Sequence, residues 1–262
     1  MWTHVYLNTS VSPVPNWTFP PNSQHVFLNR SSVDQLDPRL KALFKRLLHH
    51  AHGPGPLYLI KAMLPWILPN TSRAIVLDFD LLFLSPVQRL WDQFDLFEES
   101  HMLGLTPEAD ERIYRSGYAL NGGVQLMRLD RMRDGRYESL LRQVAHAPGH
   151  LIGYLGDQTL FTRIANLDGT VLFNLSCRFN RQLNDGHGPP RWCEDGCDVL
   201  HGNFRPWKRP FEEWSRLPTA RWKTELQTKL KKKSWYDRVS NCFSERRANI
   251  STLTSAQTRP AM

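Results

Sequence analysis

Residues 74–84 read Ala-Ile-Val-Leu-Asp-Phe-Asp-Leu-Leu-Phe-Leu, with four apolar side chains on either side of a pair of acids separated by an aromatic. A continuous Ile/Val/Leu run of this kind suits a strand buried on both faces, as in sheets covered by helices on both sides. Side chains alternate along a strand, so regular continuation would place Asp78 and Asp80 on one face and Phe79 on the other. At the carboxyl edge of an open α/β sheet such a face looks into the crevice where ligands bind. Two hard oxygen donors there suit a divalent cation carrying a diphosphate. The plain alternative is a solvated turn. A third is a carboxylate pair for glycoside hydrolysis, a chemistry better served by acids on separate elements.

The rest of the chain alternates strand and helix patterns. The stretch to Ser32 is rich in Asn, Ser and Pro and reads as loop, with one strand at Gln24–Leu28. Asp37-Pro38 supplies an N-cap and a proline at the first helical position, and Leu40, Leu43, Phe44, Leu47 and Leu48 follow at helical spacing up to Gly53. Leu57, Ile60, Met63, Leu64 and Ile67 form a second stripe, broken or kinked at Pro65. Strands are expected at Met102–Leu105, Gly123–Met127, Thr170–Leu175 and Asp198–His201, and helices at Asp130–Ala145 and Gln158–Ala165. This order predicts an α/β sandwich with a mostly parallel central sheet.

A formal charge of +8 invites a nucleic-acid reading, but its distribution argues against one. Residues 221–247 hold nine basic and three acidic side chains and so carry +6 of that total. The remainder is nearly balanced and has no interleaved basic and aromatic stripe. Residues beyond about Pro218 lose apolar periodicity and are expected to form a basic, poorly ordered tail. There is no run of 18 apolar residues and no signal-peptide layout at Met1-Trp2-Thr3-His4. Six Asn-x-Ser/Thr sequons, at Asn8, Asn16, Asn29, Asn70, Asn174 and Asn249, nevertheless favour a chain that meets the glycosylation machinery. Cys177, Cys193, Cys197 and Cys242 form an even set that would be disulfide-bonded in an oxidising lumen.

Three further segments carry candidate chemistry. In Leu120-Asn121-Gly122-Gly123-Val124, the glycines permit close backbone approach of a ligand, and Asn121 offers donor and acceptor to a hydroxyl; a hairpin turn is the alternative. Gly156-Asp157-Gln158 opens an apolar helix with an acid and an amide, which an ordinary N-cap would also explain. His201-Gly202-Asn203 ends the last apolar strand, with Arg205 and Lys208 beyond it as phosphate partners. His187, Cys193, Cys197 and His201 also allow a zinc site, although their intervals match no tight zinc motif.

Taken in order, these segments resemble the retaining glycosyltransferases of family 8, which have a GT-A fold. Leu77-Asp78-Phe79-Asp80 resembles the family's DxD motif, Leu120–Val124 its asparagine-containing loop, Gly156-Asp157-Gln158 its GDQ segment, and His201-Gly202-Asn203 its metal-binding histidine. Within the family the chain is most similar to the animal glucoside and xyloside xylosyltransferases, through Asp80–Val87 and the stretch from Leu155 to Leu183, and to the xylosyl domain of LARGE. The resemblance implies Mn²⁺ held by Asp78, Asp80 and His201. It implies a UDP-sugar donor, xylose by preference, contacted by Asp78, Asn121, Gly122, Gly123, Gly202, Asn203 and Lys208. Asp157 and Gln158 would lie beside the anomeric centre, and the acceptor would be a glycan or glycoprotein hydroxyl. It further implies the lumen of the endoplasmic reticulum or Golgi, with membrane attachment only through an anchor outside this chain. Such membership would account for the sequons and the cysteines.

The chain departs from the family pattern at Gly122, where Ser or Thr is usual, and at Thr159, where a second acid is usual. No counterpart of the family's first, uridine-cradling strand is read before Gln24, so an N-terminally incomplete GT-A domain is expected. Its parts are a loop-rich segment at 1–32, a catalytic domain at 33–218 and a tail at 219–262. A catalytically silent carbohydrate- or partner-binding module with the same fold is the alternative function.

Overall fold

A computed structural model describes residues 2–7, 23–28, 34–49, 56–78, 81–109, 119–147, 156–182 and 196–202. The chain divides into two units, one of Met1–Ala74, Ser100–Leu103 and Met127–Leu172, the other of Ile75–Glu99, Gly104–Leu126 and Phe173–Met262.

In the first unit, β1 (Trp2–Leu7) pairs in parallel with β2 (Ser23–Leu28), from Trp2 opposite Ser23 to Leu7 opposite Leu28. The sequence reading expects a single strand here. Trp-Thr-His-Val-Tyr-Leu is rich in β-branched and aromatic residues, and that local preference outweighs the Asn/Ser/Pro composition around it. Helix α1 (Pro38–His49) forms as its stripe predicts, with Leu40, Leu43, Phe44 and Leu47 all buried. Asp37 caps it: its Oδ1 accepts from the backbone N–H of Arg39 at 2.9 Å and of Leu40 at 3.0 Å.

The second stripe is not one α-helix. It is a 3-10 segment (Pro56–Met63) followed by a single turn, α2 (Leu64–Ile67), with Pro65 at its start. Proline lacks the N–H and blocks the carbonyl four residues back, so the α ladder cannot run through it. Arg133 takes up the nearby carbonyls, donating to Pro65 O at 2.9 Å and Thr71 O at 3.2 Å. Gly135, at φ 94°, likewise divides the helix expected at 130–145 into a 3-10 turn (Arg131–Arg133) and α4 (Arg136–His146). Buried Tyr137 on α4 stacks on Trp66 at 5.9 Å and donates to Ala62 O at 3.2 Å. Helix α5 (Asp157–Leu167) completes this unit.

The acid-bearing run is two strands rather than one. β3 (Arg73–Leu77) stops before Asp78, and β4 (Leu81–Phe83) lies in a different sheet. Among the described residues β3 is an edge strand of a four-stranded sheet, in the order β3-β6-β5-β7, with β5 at Leu103–Pro107, β6 at Leu120–Arg128 and β7 at Leu172–Asn174. An edge position explains why its apolar side chains are half-buried or exposed instead of covered on both faces. β6 is the strand the apolar reading suits, with Leu120–Met127 entirely buried.

In the second unit β4 joins β9 (Val199–His201) and β8 (Arg181–Gln182) in the order β4-β9-β8. β8 and β9 are parallel, as expected, but β4 and β9 are antiparallel, with Leu81 opposite His201 and Phe83 opposite Val199. That direction has a consequence for the site. Parallel pairing over the same residues would set His201 opposite Phe83, two residues or about 7 Å farther along β4 from the acids. Leu81 and Val199 of this sheet join Leu90, Phe94, Phe97, Val124, Leu126, Leu175 and Phe179 in one buried cluster. Leu90 and Phe94 come from α3 (Gln88–Trp91) and the 3-10 turn after it. Phe94 meets Trp91 edge-on at 5.2 Å and Phe97 at 5.3 Å, and Phe97 meets Phe173 at 4.7 Å. Each such pair contributes about 0.5–1.5 kcal/mol beyond its buried area.

Candidate active site

In the second unit the chain leaves β3 at Asp78, whose backbone N–H donates to Gly123 O on β6 at 2.9 Å. His201 ends β9 almost fully buried, and its Nε2 lies 4.0 Å from Asp78 Oδ2. Two of the three expected metal ligands, 123 residues apart in sequence, are thus neighbours in space. A carboxylate oxygen and an imidazole nitrogen are donor types that suit a divalent cation such as Mn²⁺. By donor chemistry the pair fits the ion. Asp80, the third expected ligand, lies outside the described residues, and among the described residues no three His, Cys, Asp or Glu gather as a metal cluster.

The imidazole is set by its surroundings. Its Nδ1 is 2.9 Å from Asn180 Oδ1, and Asn180 Nδ2 donates to Thr106 Oγ1 at 2.9 Å and to Asn121 Oδ1 at 2.8 Å. Asn121 Nδ2 donates in turn to Glu108 Oε2 at 2.9 Å, while Asn121 Oδ1 also accepts the Gly123 N–H at 2.9 Å. Gly123 is where the sequence expects close approach, and the group that approaches is this ring: a Cβ there would stand 2.2 Å from His201 Cε1 and 2.4 Å from Nδ1. Gly122 accepts from Gln125 Nε2 at 2.8 Å through its carbonyl. Gln182, opposite His201 on β8, donates to Pro107 O at 2.9 Å and accepts the Ala109 N–H at 2.9 Å, tying β8 to the end of β5. Burial pulls the guanidinium of its neighbour Arg181 below the ordinary arginine value.

In the first unit Asp157 and Gln158 open α5 as predicted, but Asp157 is no simple cap. Its Oδ2 pairs with Lys61 Nζ at 3.0 Å, and both side chains are about 95% buried. Gly202 is described and buried, whereas Asn203, Arg205 and Lys208 lie outside the described residues. Cys177 and Cys197 are both disulfide-bonded, so Cys197 offers no thiolate and the zinc alternative falls.

Sequence reasoning gave no role to Lys61, Glu108 or Asn180. Each had a faint signal: Lys61 interrupts an apolar stripe, Glu108 follows an apolar strand, and Asn180 lies in the quoted stretch between Cys177 and Leu183. Their common property is burial beside a polar partner, which becomes visible only once the strands are assembled.

No protein-family profile matches the chain. It is 29% identical over 189 residues to human xylosyl- and glucuronyltransferase LARGE2, covering 65% of this chain and 25% of the relative. It is also 29% identical over 209 residues to glucoside xylosyltransferase 1 of Danio rerio, covering 66% of this chain and 52% of the relative. The chain therefore spans between a quarter and about half of the length of these relatives. Among solved structures, mouse xyloside xylosyltransferase 1 in its apo form superposes with a TM-score of 0.59 at 25% identity, over 69% of this chain and 76% of that one. The resemblance carried by the four motifs is borne out, and the α/β fold is that of the GT-A glycosyltransferases.

Proposed function

We propose that this chain is the nucleotide-sugar-binding and catalytic part of a metal-dependent retaining glycosyltransferase that moves xylose from UDP-xylose to a glycan hydroxyl. The observation carrying this reading is the meeting of Asp78 and His201, which end separate strands in separate sheets. Its support is similarity to proteins named as xylosyltransferases.

Asp78, Asp80 and His201 would hold a Mn²⁺ ion, which when bound would offset the charge developing on a departing diphosphate. Gly122 and Gly202 would let backbone approach the donor, with Asn203 and Lys208 completing its contacts, whereas Asn121 and Gly123, which the resemblance also places at the donor, are buried in the network around His201 and would act through it. Asp157 and Gln158 flank the anomeric carbon; Gln158 orients and stabilises, since an amide is a poor nucleophile. The C1–O bond to the phosphate breaks, and the acceptor oxygen bonds C1 from the same face. Its proton passes to the leaving phosphate oxygen. The enzyme works in a secretory-pathway lumen, a setting that suits six sequons and the disulfide-bonded Cys177 and Cys197.

The test is UDP-xylose turnover with Mn²⁺ in the Asp78→Asn and His201→Gln variants. Each is expected to lose more than about 100-fold in rate with its circular dichroism unchanged; full activity in either overturns the reading. A silent binding module, favoured by Gly122 and Thr159, predicts instead that calorimetry with UDP shows no Mn²⁺-dependent binding to the wild-type chain.

A further inference from the structure

We propose that Asn180 is a positioning residue that fixes His201 as the Nδ1–H tautomer, so that the Nε2 lone pair is the one presented beside Asp78. The inference rests on the reading of His201 as a metal ligand and concerns how the chain prepares it. Asn180, Asn121 and Thr106 are all at most 1% exposed and His201 is 3% exposed, so partners for these groups come from the protein.

The direction of the hydrogen bonds follows from groups that have no choice of role. The backbone N–H of Gly123 can only donate, so the Asn121 atom 2.9 Å from it is the carbonyl oxygen. The Asn121 amide nitrogen then donates to Glu108 Oε2 at 2.9 Å. With Asn121 Oδ1 fixed as an acceptor, the Asn180 atom 2.8 Å away must be its NH₂. The remaining Asn180 atom is its carbonyl oxygen, and it lies 2.9 Å from His201 Nδ1. A carbonyl cannot donate, so Nδ1 carries the proton. Flipping Asn180 would set two oxygens against each other at Asn121, and flipping both amides would set the Asn121 NH₂ against the Gly123 N–H. In the neutral ring the lone pair is then on Nε2, 4.0 Å from Asp78 Oδ2. Partners that orient ligating histidines in this way typically sustain about 10–100-fold in metal affinity.

The experiment uses the full chain labelled with ¹⁵N-histidine, with the His201 resonances identified by their absence in His201→Gln. Long-range ¹H–¹⁵N correlation without metal should show a protonated Nδ1 and a pyridine-type Nε2. In Asn180→Ala that preference should collapse toward a mixture and Mn²⁺ affinity by calorimetry should fall about 10–100-fold, with far-ultraviolet circular dichroism unchanged. An Nε2–H tautomer in the wild-type chain overturns the proposal even if Asn180→Ala does not fold, as does an Asn180→Ala protein that retains both tautomer and affinity. A wild-type chain with the expected tautomer but no Mn²⁺ binding removes the metal reading of the site and leaves the tautomer assignment standing.

Discussion

At the residue scale the most constrained position is Gly123. Its carbonyl accepts the Asp78 N–H, its own N–H is held by Asn121, and the imidazole of His201 fills the space a side chain would need. Close approach at this glycine was legible in the sequence, but the identity of the approaching group was not, because the histidine comes 78 residues later on another sheet. A Cβ meeting His201 at 2.2–2.8 Å cannot be relieved by a small rotation of the ring, since Nδ1 is tied to buried Asn180. Gly123→Ala is therefore expected to cost about 1–3 kcal/mol of stability by overpacking. It should also displace the imidazole from Asp78 and so remove the Mn²⁺ binding proposed for this pair. Urea unfolding and Mn²⁺ calorimetry measure the two effects, and unchanged values in both would contradict the packing described.

At the element scale, two ionic contacts behave oppositely because their exposure differs. Lys61 of the 3-10 segment and Asp157 of α5 are paired at 3.0 Å with side chains 5% and 4% exposed. Removing one partner leaves a buried charge, so Lys61→Met alone should destabilise the protein by about 3–5 kcal/mol, while Lys61→Met with Asp157→Leu should recover much of the loss. A double variant no more stable in urea than the single would show that the pair does not dominate this contact. Asp168, just after α5, is half-buried and in reach of solvent; hydrogen bonds from Thr170 and then Arg136 hold its carboxyl below the ordinary aspartate range. A lowered native pKa gives stability that is present above about pH 3.9 and lost as pH falls through the folded value. The thermal midpoint of the wild-type chain should therefore drop more steeply below about pH 4 than that of Asp168→Asn, and parallel acid limbs would refute it. Element identity was well forecast where one signal ruled, as in α1 with its cap and stripe. The break at Pro65 was read as well, though not the 3-10 form of Pro56–Met63; the reading failed at Gly135, which divides the expected helix, and at residues 74–84, where apolar content gave no hint that the chain changes sheet between Leu77 and Leu81. Strand direction had no sequence signal either, since Leu-Leu-Phe and Val-Leu-His read alike in parallel and antiparallel pairs.

At the scale of the whole molecule, the question is which compartment the surface fits. The formal charge of +8 falls mostly in residues 221–247, outside the described residues, and does not bear on the two units. Among the described residues no helix is long and apolar enough to cross a membrane. The sequons offer a sharper discriminator, because an acceptor asparagine must lie on the surface to be modified. Asn70, beside the turn after α2, and Asn174, at the end of β7, are both exposed. Asparagine is mostly exposed in any fold, so the discriminating observation is modification itself. When the chain is directed into a secretory pathway, glycans are therefore expected at both positions. Enzymatic removal of N-glycans should lower the mass of the wild-type protein, and Asn70→Gln and Asn174→Gln should each remove one glycan from the intact mass. Both substitutions are at exposed positions, so stability should change by no more than about 0.5 kcal/mol. A secreted, folded chain with neither site modified would break the link between these exposed asparagines and a lumenal enzyme, and would leave the disulfide-bonded cysteines as the main physical argument for that compartment.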